Sequence, residues 1–239
     1  MKAFILAAGL GTRLRPLTDN QPKVMLEVGR KKILERTIEQ LKEAGVEELV
    51  INLHYFPEKV KLYFGDGSKW GVKINYSYEP EILGTAGGLK KVEKYFAGEK
   101  EFLVVYGDNA YNVDFKKFMD QPFLAGADYI IMLFNRNKSP NSGIAGGVVK
   151  VKNSFIEGFY EGVSHPEVDY VNSGVYKFTP EIFNYMPENS FSDFGKDIFP
   201  KLLSQRKKLQ SFIVSEKEAV YGVDSFEYLE KANQYFKNL

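Results

Sequence analysis

The 239-residue chain has no cysteine, which excludes disulfides, thiolate nucleophiles and cysteine-ligated zinc. Histidine is almost as scarce. His54 and His165 are the only two, and neither sits in an H-E-x-x-H or other metal-binding spacing, so both read as structural or surface residues. An excess of charge of one sign is also lacking. Lys and Arg total 32 against 31 Asp and Glu, a net charge of +1, so no broad basic field points to a nucleic-acid partner. Any phosphate must therefore be bound locally. Long apolar runs are missing as well: Met1–Leu10 is too short for a signal peptide, and Tyr129–Phe134 cannot cross a bilayer. The expectation is a cytoplasmic protein with no membrane partner. With no repeat, low-complexity stretch or linker in sight, it is a single domain over residues 1–239.

What is present is concentrated in the first 26 residues, MKAFILAAGLGTRLRPLTDNQPKVML. The apolar run Ala3–Ala8 reads as a buried strand, and it leads directly into Gly9-Leu10-Gly11-Thr12-Arg13. Glycines let backbone N–H groups converge on an anion without obstruction by a Cβ atom. Arg13 and Lys23, the latter set by Pro22, add two full positive charges, and together these features suit a triphosphate. A Rossmann G-x-G-x-x-G fingerprint fails at Leu14, and no P-loop G-x-x-x-x-G-K-[ST] occurs anywhere. A plain strand-to-loop turn with surface cations is the bland alternative.

Further along, strands and helices alternate. Helical spacing at Leu34, Ile38 and Leu41 stops at Gly45, Glu48–Asn52 reads as a strand, and a helix runs from Pro57 to Gly65. Alternation from Val72 to Tyr78 predicts a strand, Gly84–Phe96 a helix and Phe102–Tyr106 a buried strand. This order argues for βαβ units and a parallel sheet through about residue 120. Afterwards the pattern is rich in strands (129–134, 147–151, 155–160, 170–178), with helices at 193–204 and 226–236. The last parallel strand ends in Gly107-Asp108-Asn109, which aims a carboxylate at the crevice where such sheets bind ligands. On its own, Gly-Asp-Asn is also ordinary turn chemistry.

The string L-A-A-G-x-G-T-R-L-x-P-L-T, followed by P-K, resembles the signature of the sugar-1-phosphate nucleotidylyltransferases, with further matches along nearly the whole chain. The resemblance implies an α/β fold with a Rossmann-like, mixed but mostly parallel central sheet flanked by helices. It also implies a nucleotide half (about 1–120) and a sugar-phosphate half (about 121–239). Leu6, Ala8, Gly9, Gly11, Thr12, Arg13 and Lys23 would then meet the nucleotide, with Arg13, Lys23 and Asp108 catalytic. Mg²⁺ is the implied cofactor, held by Asp108 and by Asp224 at the head of a D-S-F-E-Y-L-E-K-A-N run, although Asp224 would serve equally as a helix N-cap.

The resemblance also places Gly84-Thr85-Ala86-Gly87 against the nucleobase, with Glu79 in the position of an upstream Gln or Glu. A carboxylate only accepts hydrogen bonds, which suits the two adjacent donors of guanine and favours GTP over CTP and UTP. Sugar-phosphate contacts would come from Gly147, Glu161 and Asn172. The family's E-K-P lysine is missing, since Gly162-Val163 follows Glu161. Lys196 in Asp193-Phe194-Gly195-Lys196 is the candidate replacement, or else an ordinary surface cation. Mannose 1-phosphate with GTP is the first expected pair. Heptose, muramate or glucose 1-phosphate with UTP or CTP, a phosphocholine-type acceptor, and a non-catalytic nucleotide-sugar-binding subunit are the alternatives. Homo-oligomerisation is not legible in the sequence.

Overall fold

The computed structural model describes residues 1–141, 147–162, 165, 167–237 and 239. The apolar amino-terminal run forms β1 (Lys2–Leu6), buried on both faces between two parallel neighbours. A short hairpin of β2 (Glu27–Val28) and β3 (Lys31–Lys32) leads into α1 (Ile33–Glu43), and Gly45, at φ +98°, follows the end of that helix. Next come β4 (Glu48–Leu53), α2 (Pro57–Phe64), β5 (Lys73–Tyr78), α3 (Gly84–Lys91) and β6 (Phe102–Tyr106). Strands β5-β4-β1-β6 lie side by side and parallel, as the βαβ pattern requires. The helix expected to reach Phe96 ends at Lys91 and tightens into a 3₁₀ turn, Glu93–Tyr95. That turn keeps Val92 and Phe96 in the core.

The chain continues with β7 (Asn109–Asn112), α4 (Phe115–Asp120), β8 (Tyr129–Asn135), β9 (Val148–Lys152), β10 (Phe155–Tyr160) and β11 (Tyr170–Phe178). It closes with α5 (Phe199–Ser204), β12 (Leu209–Ile213), β13 (Ala219–Gly222) and α6 (Phe226–Phe236). The single helix expected over 193–204 is instead a π-helical turn, Phe194–Ile198, followed by α5. Pro200 has no N–H to donate back to Lys196, so the regular ladder is interrupted there.

The main sheet has the order β5-β4-β1-β6-β11-β8-β12-β10-β9, and β9 also pairs with β11. Strand β11 makes this possible by forking. Val175–Phe178 pair with β6, whereas Tyr170 and Val171 pair with β9. The register shift falls at Ser173-Gly174, where Gly174 adopts φ +77° and a Cβ would lie 2.6 Å from the Tyr106 ring. The far strands therefore curl into a ring whose mouth opens beside the carboxyl end of β6.

Side chains alternate across the sheet: Ala3 and Ile5 pack under α1, α2 and α4, while Phe4 packs with Phe102, Phe178 and Phe199 on the other face. A third apolar cluster joins Leu14, Val28, Ala110, Val223, Leu229 and Phe236. It ties the glycine loop, β7 and the start of α6 into one unit. Among the described residues, no helix is long and apolar enough to cross a membrane.

Candidate active site

The third apolar cluster fixes the site, because Arg13 precedes its Leu14, Asp108 lies two residues before Ala110, and Asp224 directly follows Val223. Where β1 ends, the Ala7 N–H donates to Asn52 Oδ1 at 2.7 Å, and the chain turns into the stretch Gly9–Arg13, exposed except for the half-buried Gly11. Gly11 takes φ +64°, and a Cβ there would stand 3.0 Å from Lys23 Cβ and 3.1 Å from Thr18 Cγ2. Both conformation and space therefore call for glycine. Thr18 Oγ1 donates to the Gly11 carbonyl at 2.9 Å and holds the turn.

Lys23 is buried, yet its ammonium bridges two acids, 2.8 Å from Asp108 Oδ2 and 2.6 Å from Asp224 Oδ1. Arg13 Nη2 reaches the same Asp224 oxygen at 3.1 Å. Burial alone would lower the Lys23 pKa, but the two carboxylates outweigh it and hold the ammonium above its ordinary value of 10.5. Lys23 therefore stays charged in any neutral solution.

Three adjoining cavities meet at Asp108. The first, about 270 Å³, is lined by Gly9, Gly11, Thr12, Arg13, Lys23, Asp108 and Asp224. Another, about 260 Å³ and largely apolar, is lined by Leu6, Ala8, Ile82, Gly84, Thr85 and Phe191. The third, also about 260 Å³, lies at the mouth of the ring and is lined by Gly147, Glu161, Asn172, Asp193 and Tyr228. Thr85, Tyr106, Asp108 and Asp193 line both the second and the third.

Apart from Glu79, Lys196 and the buried Ala86 and Gly87, the expected residues thus line one crevice. Glu79 is fully buried behind the pocket wall. Its carboxylate accepts from Asn52 Nδ2 at 2.8 Å and from the Leu83 N–H at 3.1 Å, so it braces the loop that precedes α3. Lys196 is exposed and lines none of the three cavities. It is near enough to Glu161 to act on that carboxyl electrostatically. Val163, which stands beside the missing E-K-P lysine, lies outside the described residues. His54 Nδ1 is 2.7 Å from the Glu79 carbonyl and His165 lies against Glu167, in keeping with structural and surface roles.

Sequence reasoning missed Asp193 and Tyr106. Asp193 opens the same D-F-G-K segment that drew attention to Lys196, and Tyr106 is the residue before Gly107-Asp108. Asp193 Oδ2 accepts from Thr85 Oγ1 at 2.9 Å, while Oδ1 accepts from the Gly195 and Lys196 N–H groups. Among the described residues, no group of three or more His, Cys, Asp or Glu is placed to hold a metal. The pair Asp108 and Asp224, drawn to one point by Lys23, is the available carboxylate set.

A family model described as nucleotidyl transferase matches residues 2–226. A UTP–glucose-1-phosphate uridylyltransferase of Synechocystis sp. is 35% identical over 215 residues, which is 85% of this chain and 55% of that protein. A probable mannose-1-phosphate guanylyltransferase of Oryza sativa is 33% identical, over 84% of this chain and 56% of its own length. The chain spans about half the length of these two curated relatives. A D-glycero-α-D-manno-heptose 1-phosphate guanylyltransferase of Campylobacter jejuni is 32% identical, over 84% of this chain and 88% of that protein.

Of the solved structures, HddC from Yersinia pseudotuberculosis complexed with GMP-PN superposes with a TM-score of 0.80 at 26% identity, covering 99% of both chains. A putative glucose-1-phosphate thymidylyltransferase from Bacillus anthracis gives a TM-score of 0.85 at 22% identity, covering 100% of this chain and 96% of its own, a likeness of fold. The architecture is that of the nucleotide-diphospho-sugar transferases.

Proposed function

The chain belongs to the nucleotidyl transferase family, and from that premise we propose that it joins a sugar 1-phosphate to a nucleoside triphosphate, with release of pyrophosphate. The observation that carries this reading is the meeting of Arg13, Lys23, Asp108 and Asp224 where the three cavities join. An oxygen of the sugar phosphate attacks the α-phosphorus, a P–O bond forms, and the bond to pyrophosphate breaks. The attacking oxygen is already ionised near neutral pH, so no general base is needed. That suits a crevice lined by neither histidine nor cysteine. Catalysis then rests on in-line positioning and on charge placed where it develops.

In this reading the glycine loop and Arg13 hold the departing pyrophosphate. Lys23 lines both nucleotide cavities, pairs with two acids that also line the acceptor cavity, and steadies the transferring phosphate. The donor set also fits Mg²⁺, a hard cation that takes oxygen ligands and often only one or two protein carboxylates. Asp108 and Asp224 would hold the ion, which, when bound, would neutralise phosphate charge and orient both substrates.

GTP with mannose 1-phosphate is the first pair to try, supported by the guanylyltransferases among the relatives. UTP with glucose 1-phosphate is the second, supported by the 35% identical uridylyltransferase. With Glu79 braced behind the wall, selection of the base falls to the rim formed by Ala8, Gly9, Gly84 and Thr85. The test is pyrophosphate release from each of the four NTPs against a panel of sugar 1-phosphates. Release with at least one pair supports the reading. Release with none, in the presence of Mg²⁺, refutes it.

A further inference from the structure

The acceptor cavity is unevenly charged. Asp108, Asp224 and Arg13 line it together; Arg13 pairs with Asp224, and the buried Lys23 pairs with both acids. Glu161 and Asp193 also line the cavity, and among the described residues neither lies within 4.0 Å of a cation. No Lys or Arg occurs among the residues outside the described set, so none of those can supply a missing ion pair.

The Glu161 carboxylate is held by shape. A Cβ on Gly147 would stand 2.4 Å from Glu161 Oε2, and one on Gly195 would stand 2.6 Å from it. Two glycines thus leave the slot that this oxygen fills. Asp193 is fixed just as firmly, through Thr85 Oγ1 and the Gly195 and Lys196 N–H groups. Burial first, then the neighbouring Asp193 carboxylate, raises the pKa of Glu161 above its ordinary 4.5, with Lys196 opposing.

We propose that Glu161 and Asp193 form an anionic wall that admits sugars presenting hydroxyl donors and excludes a sugar that carries a carboxylate. The substrate class is therefore an uncharged sugar 1-phosphate, with uronic acid 1-phosphates rejected; this rests on the acceptor role proposed above for the cavity. Both side chains are acceptors when ionised, so sugar hydroxyls can donate to them. A substrate carboxylate offers no donor and brings like charge against like in a confined, partly desolvated space.

The experiment compares mannose 1-phosphate and glucose 1-phosphate with glucuronate 1-phosphate, for turnover with the preferred NTP and for equilibrium binding by calorimetry. The parent should favour the better hexose phosphate by about 10²-fold or more. Glu161→Gln and Asp193→Asn should each narrow that ratio about tenfold, since each removes one like charge while keeping an acceptor oxygen. A parent ratio within threefold overturns the proposal. So does a large ratio that neither variant moves, which would mean exclusion by shape alone, and so does binding of none of the three. If no NTP supports turnover but binding keeps the predicted ratio and its response to the variants, the transfer reaction fails and the anionic wall stands.

Discussion

Residues 1–120 bring Arg13 and Lys23 to a glycine loop at the ends of parallel strands, whereas residues 121–239 bring Glu161, Asn172 and Asp193 to the mouth of a curled, largely antiparallel ring. The first half gathers cations against carboxylates. The second lends Asp224 to those cations and gathers an amide with Glu161 and Asp193, neither of which has an ion pair among the described residues. Phosphates are recognised by positive charge and N–H groups, and sugars by hydroxyls that need acceptors. The fork in β11 at Gly174 sets the two chemistries side by side, with Asp108 at the seam.

The comparison breaks most severely at that seam. Asp108→Ala should lower kcat by at least about 10²-fold, the scale of losing one preorganised electrostatic contact, while circular dichroism stays native. Turnover within tenfold of the parent would remove Asp108 from the chemistry. Lys23→Met, next in size, should also cost turnover heavily. It has a second signature: Mg²⁺ alone should raise Tm more in the variant than in the parent, because the ammonium no longer competes for the same two carboxylates. An equal Mg²⁺ response in both proteins would place the metal elsewhere.

Glu79→Gln sharpens the nucleotide side. An amide at that position can accept from only one of its two donors, Asn52 Nδ2 and the Leu83 N–H, and sets an NH₂ against the other. The expected result is a stability loss of about 1–3 kcal/mol, read by denaturant titration, with an unchanged order of preference among NTPs. A shifted base preference at full stability would mean that Glu79 touches the base. The smallest effect belongs to Lys196→Ala. From an exposed position outside the cavities, it should change KM for the sugar phosphate only about two- to threefold, as a screened surface charge would. A tenfold rise would make Lys196 the acceptor's cation.

Much of the first half was legible because its signals are local. A continuously apolar run gave β1, Pro57 and Gly65 bracketed α2, and Gly9, Gly11, Arg13 and Lys23 lie close together in sequence. The rest of the fold depends on distant pairings. β7 and β13 are four residues each, too short to show a period, and they find each other across more than a hundred residues. The fork in β11 also left no reliable trace, since Ser173-Gly174 sits inside an otherwise ordinary strand pattern. Glu79 was expected to meet the nucleobase, and only the three-dimensional structure shows both of its oxygens engaged by protein donors. Asp193 was less legible than its neighbour Lys196 because charge complementarity to phosphate points to the cation, whereas it is the acid that lines the cavity.

In the proposed reaction the cluster of Arg13, Lys23, Asp108 and Asp224 moves a nucleotidyl group between the two halves. Incubation with GTP labelled at the α-phosphate, mannose 1-phosphate and Mg²⁺, then with the remaining NTP and sugar-phosphate pairs, tests it directly. The account predicts that the label passes into a sugar nucleotide while pyrophosphate leaves unlabelled, and that Asp108→Ala abolishes the transfer. Label appearing only as free nucleoside monophosphate, or in no product with any pair, would contradict it.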